Sequence, residues 1–412
     1  MERLKKEAKD LAEHFRRGSE TFYLGLVIGF LCCYLLYQVH WSDPVVSVMG
    51  KILPICNTVL LAVLLVYVLV ILVSWRRRIW ILIPACALFA LTYYAAQHMH
   101  FKPFFLTVGI FMALLACGKD YRRILKCYFF CHVGVILLAL LGLALGFATD
   151  SPKVEEYGVG HSFGIVYPNN FAHILFLVLV LAWYLYLHRH KWATLAAFWC
   201  AVLPVWLVCK CRTIVIFLVL FPILALLLER RSAGTHRLPA GPRRVRNALI
   251  VAAPFIMLGL TLLLCSQIEF MQRAKYTVLY NMASRFVQGG IALRYYGVPL
   301  FGKAINTSGE YYLFLNGGRE RLVLMDNAYV TYLIEEGAIW MFFVTAWYCL
   351  VNLRCIRDRN RRLLLIACFM LVLGLMERAG LTAVYNFTAL YPLTAALKKA
   401  DAPAREGEVA DP

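Results

Sequence analysis

Residues 125–147 read LKCYFFCHVGVILLALLGLALGF, a run of 23 with one charge, Lys126. Coiled as an α-helix at 1.5 Å per residue, such a run is about 35 Å long, enough to cross a hydrocarbon core of about 30 Å. Its composition matches that of the whole chain. Hydrophobic residues make up 62% of the 412 and charged residues 16%, against about 45–50% and 25% in soluble domains. A soluble core cannot hide that much apolar surface, so lipid is the expected solvent. The same composition excludes a disordered chain and a secreted disulfide scaffold.

Working outward from this run, apolar segments of comparable length occupy residues 21–40, 52–74, 79–96, 103–118, 125–147, 169–187, 192–209, 212–228, 247–266, 327–351, 363–380 and 381–398. The cut between the seventh and eighth rests on Cys209-Lys210-Cys211-Arg212. The cut between the last two rests on Glu377-Arg378-Ala379-Gly380. The expected fold is an all-α polytopic membrane protein, a single transmembrane domain over 1–412 with about twelve spans. Its net charge of +19 sorts by loop: 29 of the 42 Lys and Arg fall on one side if the N-terminus is cytoplasmic. These lie in the basic N-terminus 1–20, at Arg76–Arg78, in Lys119–Lys126, at Arg189 and Lys191, in the basic loop 229–246, in Arg354–Arg362 and around the tail 399–412. This bias places both termini in the cytoplasm. A charge spread over many inner loops also argues against a nucleic-acid partner. The N-terminal stretch is too long and too acidic for a cleaved signal, and Leu4, Leu11 and Phe15 fit one side of a surface helix. The fourteen cysteines lack zinc or redox spacing and read as packing residues.

Two outer segments stand out, 149–170 and the large loop 267–326 between the ninth and tenth spans. The large loop is basic, with a helical pattern at Tyr280–Tyr296. A loop this long crosses the membrane despite its charge, and the charge suits an anionic partner at the outer surface. Ionisable groups beside spans are costly and mark candidate sites. Arg212 opens the eighth span, where a guanidinium can hold phosphate oxygens bidentately. Asp326-Asn327 opens the tenth, where Asp326 is placed for capping or for chemistry. Glu335 and Glu336 lie deeper, and at least one must face the bundle and find a donor. Glu377 and Arg378 read as a local pair. Asn169, Asn170 and His173 gather at the outer start of the sixth span, with Asn169 and His173 on one helix face. No HExxH, P-loop or strand-linked GxGxxG is present, so neither a metal site nor a nucleotide cofactor is expected.

Four motifs in order carry a likeness: Ser162-Phe-Gly-Ile-Val-Tyr-Pro-Asn-Asn170; Cys211-Arg212-Thr213; Ser284-Arg285-Phe-Val-Gln-Gly-Gly-Ile-Ala-Leu293 with Pro299-Leu-Phe-Gly302; and Asp326-Asn-Ala-Tyr-Val-Thr-Tyr-Leu-Ile-Glu-Glu-Gly337. In these the chain resembles the O-antigen ligase/polymerase (Wzy/WaaL-like) family of integral membrane glycosyltransferases. The resemblance implies a metal-independent enzyme of the bacterial inner membrane. Its donor would be an oligosaccharide on a polyprenyl diphosphate such as undecaprenyl diphosphate, and a flippase and a chain-length regulator are implied companions. It implies that Arg212 and Arg285 meet the diphosphate, that Arg294 and Lys303 assist, and that Asp326 orients or deprotonates the acceptor hydroxyl. Asn169, Asn170, His173, Asn327, Tyr329 and Glu336 would contact substrate. Ligases of this kind carry a histidine in or after the long loop; here Asp326 occupies that region, which favours a polymerase of surface polysaccharide over a ligase to lipid A core. A cell-wall polymerase of the shape-and-division type and a twelve-span transporter are the remaining alternatives. The short connection after the sixth span and the lack of similarity between halves argue against the transporter.

Overall fold

The computed structural model describes residues 2–74, 112–113, 115–116, 118–155, 158–233, 240–274, 280–303, 312–315, 318–321 and 326–395. In chain order, helix α1 is Glu2–Tyr37, α2 Asp43–Ser74 and α3 Tyr121–Ala144. A short hairpin, β1 Lys153–Glu155 with β2 Gly158–Gly160, precedes α4 Pro168–Leu185, α5 Lys191–Leu207 and α6 Arg212–Ala233. Then come α7 Ala240–Ser266, α8 Ile268–Ala274 and α9 Tyr280–Tyr296. A second hairpin, β3 Tyr312–Leu315 with β4 Gly318–Arg321, leads to α10 Ala328–Glu335, α11 Ala338–Arg357 and α12 Arg361–Gly374. Among the described residues seven helices are long and apolar enough to cross a membrane, and Lys191–Leu207 is a shorter apolar one.

The predicted spans at 79–96 and 103–118 lie almost wholly outside the described residues. Three others differ from expectation. The N-terminal stretch is no separate surface helix but continues into the first span as one helix, α1. The tenth span, expected unbroken over 327–351, is split: α10 ends at Glu335 and α11 begins at Ala338. Gly337 between them has φ of +95°, and a Cβ there would lie 2.4 Å from the Gly302 nitrogen. Gly302, itself at φ +88°, brings residues 299–303 into the gap. The donors freed by the break bond to that segment, with Ala338 N–H donating to Pro299 O (2.8 Å). The Lys303 N–H in turn donates to Ile334 O (2.8 Å). Only glycine supplies both the left-handed backbone and the close approach.

The last predicted span, 381–398, is not an α-helix either. After α12 the chain makes 3₁₀ turns at Arg378–Gly380 and Phe387–Leu393, and nearly all of residues 379–392 is buried. Irregular backbone is tolerated at membrane depth only where protein surrounds it and satisfies its polar groups. Aromatic side chains do so here. Tyr128 Oη donates to Ala383 O (2.8 Å), Tyr348 Oη to Leu381 O (2.9 Å), Trp347 Nε1 to Ala389 O (2.7 Å) and Tyr121 Oη to Phe387 O (3.2 Å). The segment still runs the length of the bundle, from Glu377 beside Arg285 to Ala395, whose N–H donates to Lys119 O (2.9 Å); apolarity marked the crossing but not its irregular backbone.

The core between α4, α5, α6 and α12 is aromatic: Phe176, Phe198, Phe217, Phe221 and Phe369 meet mostly edge to face, an arrangement that aligns ring edges with ring faces. Contacts sort the helix ends into two faces. At one lie Lys119 with Ser19, Arg123 with Glu20 and Arg362 with Glu229. At the other, residues 38–41 bridge to Ala148 and Ile165, and Gln38 accepts from Asn170.

Candidate functional site

At this second face four elements converge on one guanidinium. Arg285 belongs to α9, whose Ala283, Phe286, Val287 and Ile291 are buried. Gly289 and Gly290 let it approach closely: a Cβ on Gly290 would stand 2.2 Å from Cys265 O at the end of α7. The paired glycines of the third motif are therefore a packing device that seats Arg285.

Arg285 Nη1 lies 2.7 Å from Glu377 Oε1, and its Nη2 lies 3.4 Å from Asp326 Oδ2. His173 of α4 places Nε2 3.9 Å from the other Glu377 oxygen, Oε2. Cys211, just before α6, is buried and feels both Glu377 and Arg285, so the start of α6 adjoins the cluster. Burial opposes the charge on Arg285, but the two carboxylates outweigh it and hold the guanidinium pKa above its ordinary value. The members differ in access. Glu377 and Arg285 are 7% and 12% exposed, whereas Asp326 is 29% exposed. One cation thus binds two carboxylates, and only one of them reaches solvent.

Of the residues singled out from sequence, His173, Arg285 and Asp326 meet here, and Arg212 stands beside Cys211, half-buried, as the first residue of α6. Asn327 and Tyr329 serve the framework. Asn327 Oδ1 caps α10 by accepting from Val330 N–H (3.1 Å), and its Nδ2 donates to Leu375 O (2.9 Å). Tyr329 Oη donates to Leu371 O (3.1 Å). The cap of α10 is therefore Asn327, and the Asp326 carboxylate is turned to Arg285. Asn170 donates to Gln38 (2.7 Å), and Asn169 is half-buried one turn before His173. Glu336 is buried at the helix break beside Glu335, which finds its donor in Arg378 at 3.1 Å. Arg294 and Lys303 are exposed, and among the described residues neither pairs with Asp326 or Glu377.

Glu377 was missed as a site residue because its neighbour Arg378 looked like its partner. The backbone at Glu377 is extended (φ −145°, ψ 140°). Consecutive side chains then point to opposite faces, so Glu377 reaches Arg285 while Arg378 reaches Glu335. The loop before α4 holds a second polar group. Asp150 Oδ1 accepts from the N–H and Oγ–H of Ser162 (2.7 and 2.9 Å), and its Oδ2 is 2.5 Å from His161 Nδ1. Burial would raise the Asp150 pKa, but these hydrogen bonds hold it below the usual value. Because Asp150, not His161, stands between the other two, the trio is a loop clasp and lacks the order of a nucleophilic triad.

Among the described residues no group of His, Cys, Asp and Glu is arranged to hold a metal ion. Comparison with known proteins finds no family model, no curated protein and no solved structure that matches the chain.

Proposed function

We propose that the protein is a membrane glycosyltransferase that polymerises oligosaccharides carried on a polyprenyl diphosphate. In this reading about twelve segments cross the bacterial inner membrane, both termini are cytoplasmic and the Arg285 cluster faces outward. The observation that carries it is the half-accessible carboxylate of Asp326 held by a buried arginine at the end of the bundle poorer in Lys and Arg. Ionisable groups gathered beside membrane spans are expensive and are kept for function.

The chemistry follows from that pairing. The acceptor hydroxyl attacks C1 of the donor sugar, the new C1–O bond forms, and the bond from C1 to the lipid diphosphate breaks. The hydroxyl proton passes to Asp326. Protonation removes one of the two negative charges that Arg285 balances, so its positive charge becomes available as the diphosphate departs. Arg212 lends a second guanidinium from the start of α6. Glu377, with His173 beside it, holds Arg285 in place from its buried side.

In the test, purified protein in vesicles receives lipid-diphosphate oligosaccharide without divalent metal. Longer glycans are expected, and Asp326→Asn should lower turnover at least about 100-fold with the folded protein retained. Product formed only on a lipid A acceptor would instead identify a ligase. A second reading, transport, is favoured by the break at Gly337 with Glu336 buried beside it, since transporters bind substrate at discontinuous helices. Glycan that crosses the vesicle without lengthening would establish it and end the enzyme reading.

A further inference from the structure

The other face of α9, with the loop that follows it, is built differently from the cluster. Arg294, Tyr295, Gly297 and Val298 are exposed, and so are Leu300, Phe301 and Lys303. Four large apolar side chains, Tyr295, Val298, Leu300 and Phe301, are each more than half exposed (58%, 53%, 61% and 52%). A soluble loop of ten residues does not present four such groups to water. Two cations border them. Lys303 Nζ lies 5.7 Å from the centre of the Tyr296 ring, which places it within two residues of Arg294 along α9. Among the described residues no carboxylate forms an ion pair with either one.

The segment is held firmly from behind. Gly302 is wedged against Glu335 O, and the Lys303 N–H is bonded to Ile334 O. Leu300 and Pro299 carbonyls accept from the start of α11. Its exposed side chains are therefore presented by a fixed backbone. Aromatic and aliphatic groups interleaved with cations are the chemistry of the boundary between headgroups and acyl chains.

We propose that residues 294–303 lie in the outer boundary layer of the bilayer and that Arg294 and Lys303 bind the phosphate of a membrane lipid. Tyr295, Val298, Leu300 and Phe301 enter the acyl edge and fix the depth at which the two cations meet headgroup phosphates. Unlike Arg285, whose charge is matched by Asp326 and Glu377, these two cations have no carboxylate partner among the described residues and suit an anion directly. Arg294 is nine residues from Arg285 on one helix, about 14 Å along its axis, so a lipid phosphate held there is a neighbour of the cluster and not part of it. This site does not depend on which reaction the cluster performs.

The test is a photo-crosslinker, benzoylphenylalanine at Leu300, in nanodiscs of phosphatidylcholine mixed with phosphatidylglycerol, with the crosslinked lipid identified by mass. Crosslinks to phospholipid are expected, with the ratio of phosphatidylglycerol to phosphatidylcholine among them about tenfold that of the bilayer. The Arg294→Gln/Lys303→Gln variant should still crosslink lipid but lose the enrichment. Both side chains are exposed, so the variant should elute and melt as the parent does. Absence of lipid crosslinks would overturn the boundary-layer placement. Enrichment that survives in the double variant would overturn the role of the cations. Enrichment abolished by inorganic phosphate would show a soluble-anion site in place of a lipid one.

Discussion

Arg285 and Arg294 stand on the same helix and share one chemistry, yet they occupy opposite environments. Arg285 is 12% exposed and lies between two carboxylates; Arg294 is exposed and has neither. The first is a charge committed to protein, the second a charge left for the membrane surface. A guanidinium in a sequence therefore says little about its role until its counter-charges are located. The opposite face of the bundle makes the contrast wider: Arg123, 59% exposed, meets Glu20 at 3.7 Å, an arrangement that solvent and salt largely screen.

The comparison can be broken by substitution. The largest effect belongs to Arg285→Met, which strands Glu377 as a buried unpaired charge and should cost about 3–5 kcal/mol in thermal or denaturant unfolding. Adding Glu377→Gln should recover much of that loss. If Arg285→Met were as mild as Arg294→Met, the distinction between the two arginines would fail. Gly337→Ala comes next. It forces a side chain into the left-handed region and against Gly302, at about 3 kcal/mol, and it should detach residues 299–303, visible as new proteolysis there.

A smaller effect concerns the Asp150 clasp. The Asp150 pKa is depressed below 3.8 in the folded protein, so its stabilisation is present above that value and is lost as pH falls through the folded pKa. Hydrogen-exchange protection of residues 147–155 and 158–165, taken relative to the intrinsic rate at each pH, should fall on acidification below about pH 4, and Asp150→Asn should remove that pH dependence. The smallest effect is Arg123→Gln, expected to change stability by less than about 1 kcal/mol; a larger loss would mean that the Arg123 face carries more of the fold than its exposure implies.

Much of the architecture was legible from apolar runs, because a helix in lipid must announce itself by some twenty apolar residues. At 381–398 the same rule marked the crossing but misread its backbone as helical. Apolar composition reports separation from water, and a segment wrapped by α3 and α11 meets that condition without being a helix. Asp326 and Arg285 stood out because charges beside spans are rare. Glu377 did not, since an adjacent arginine offered an obvious partner, and only the extended backbone at that position shows the two side chains diverging.

The sequence by itself determined a mostly helical protein with helices apolar and long enough to cross a membrane, its asymmetric loops and the glycines on which close approach depends. These follow from solvent transfer and backbone sterics, which act residue by residue. Tertiary structure alone decided that Asn327 caps while Asp326 turns to Arg285, that the tenth span breaks at Gly337 and that two arginines on one helix diverge in role. Those outcomes depend on which groups are brought within a few ångströms of one another, and partners more than 40 residues apart, such as Arg285 and Asp326, are set by the packing of whole elements.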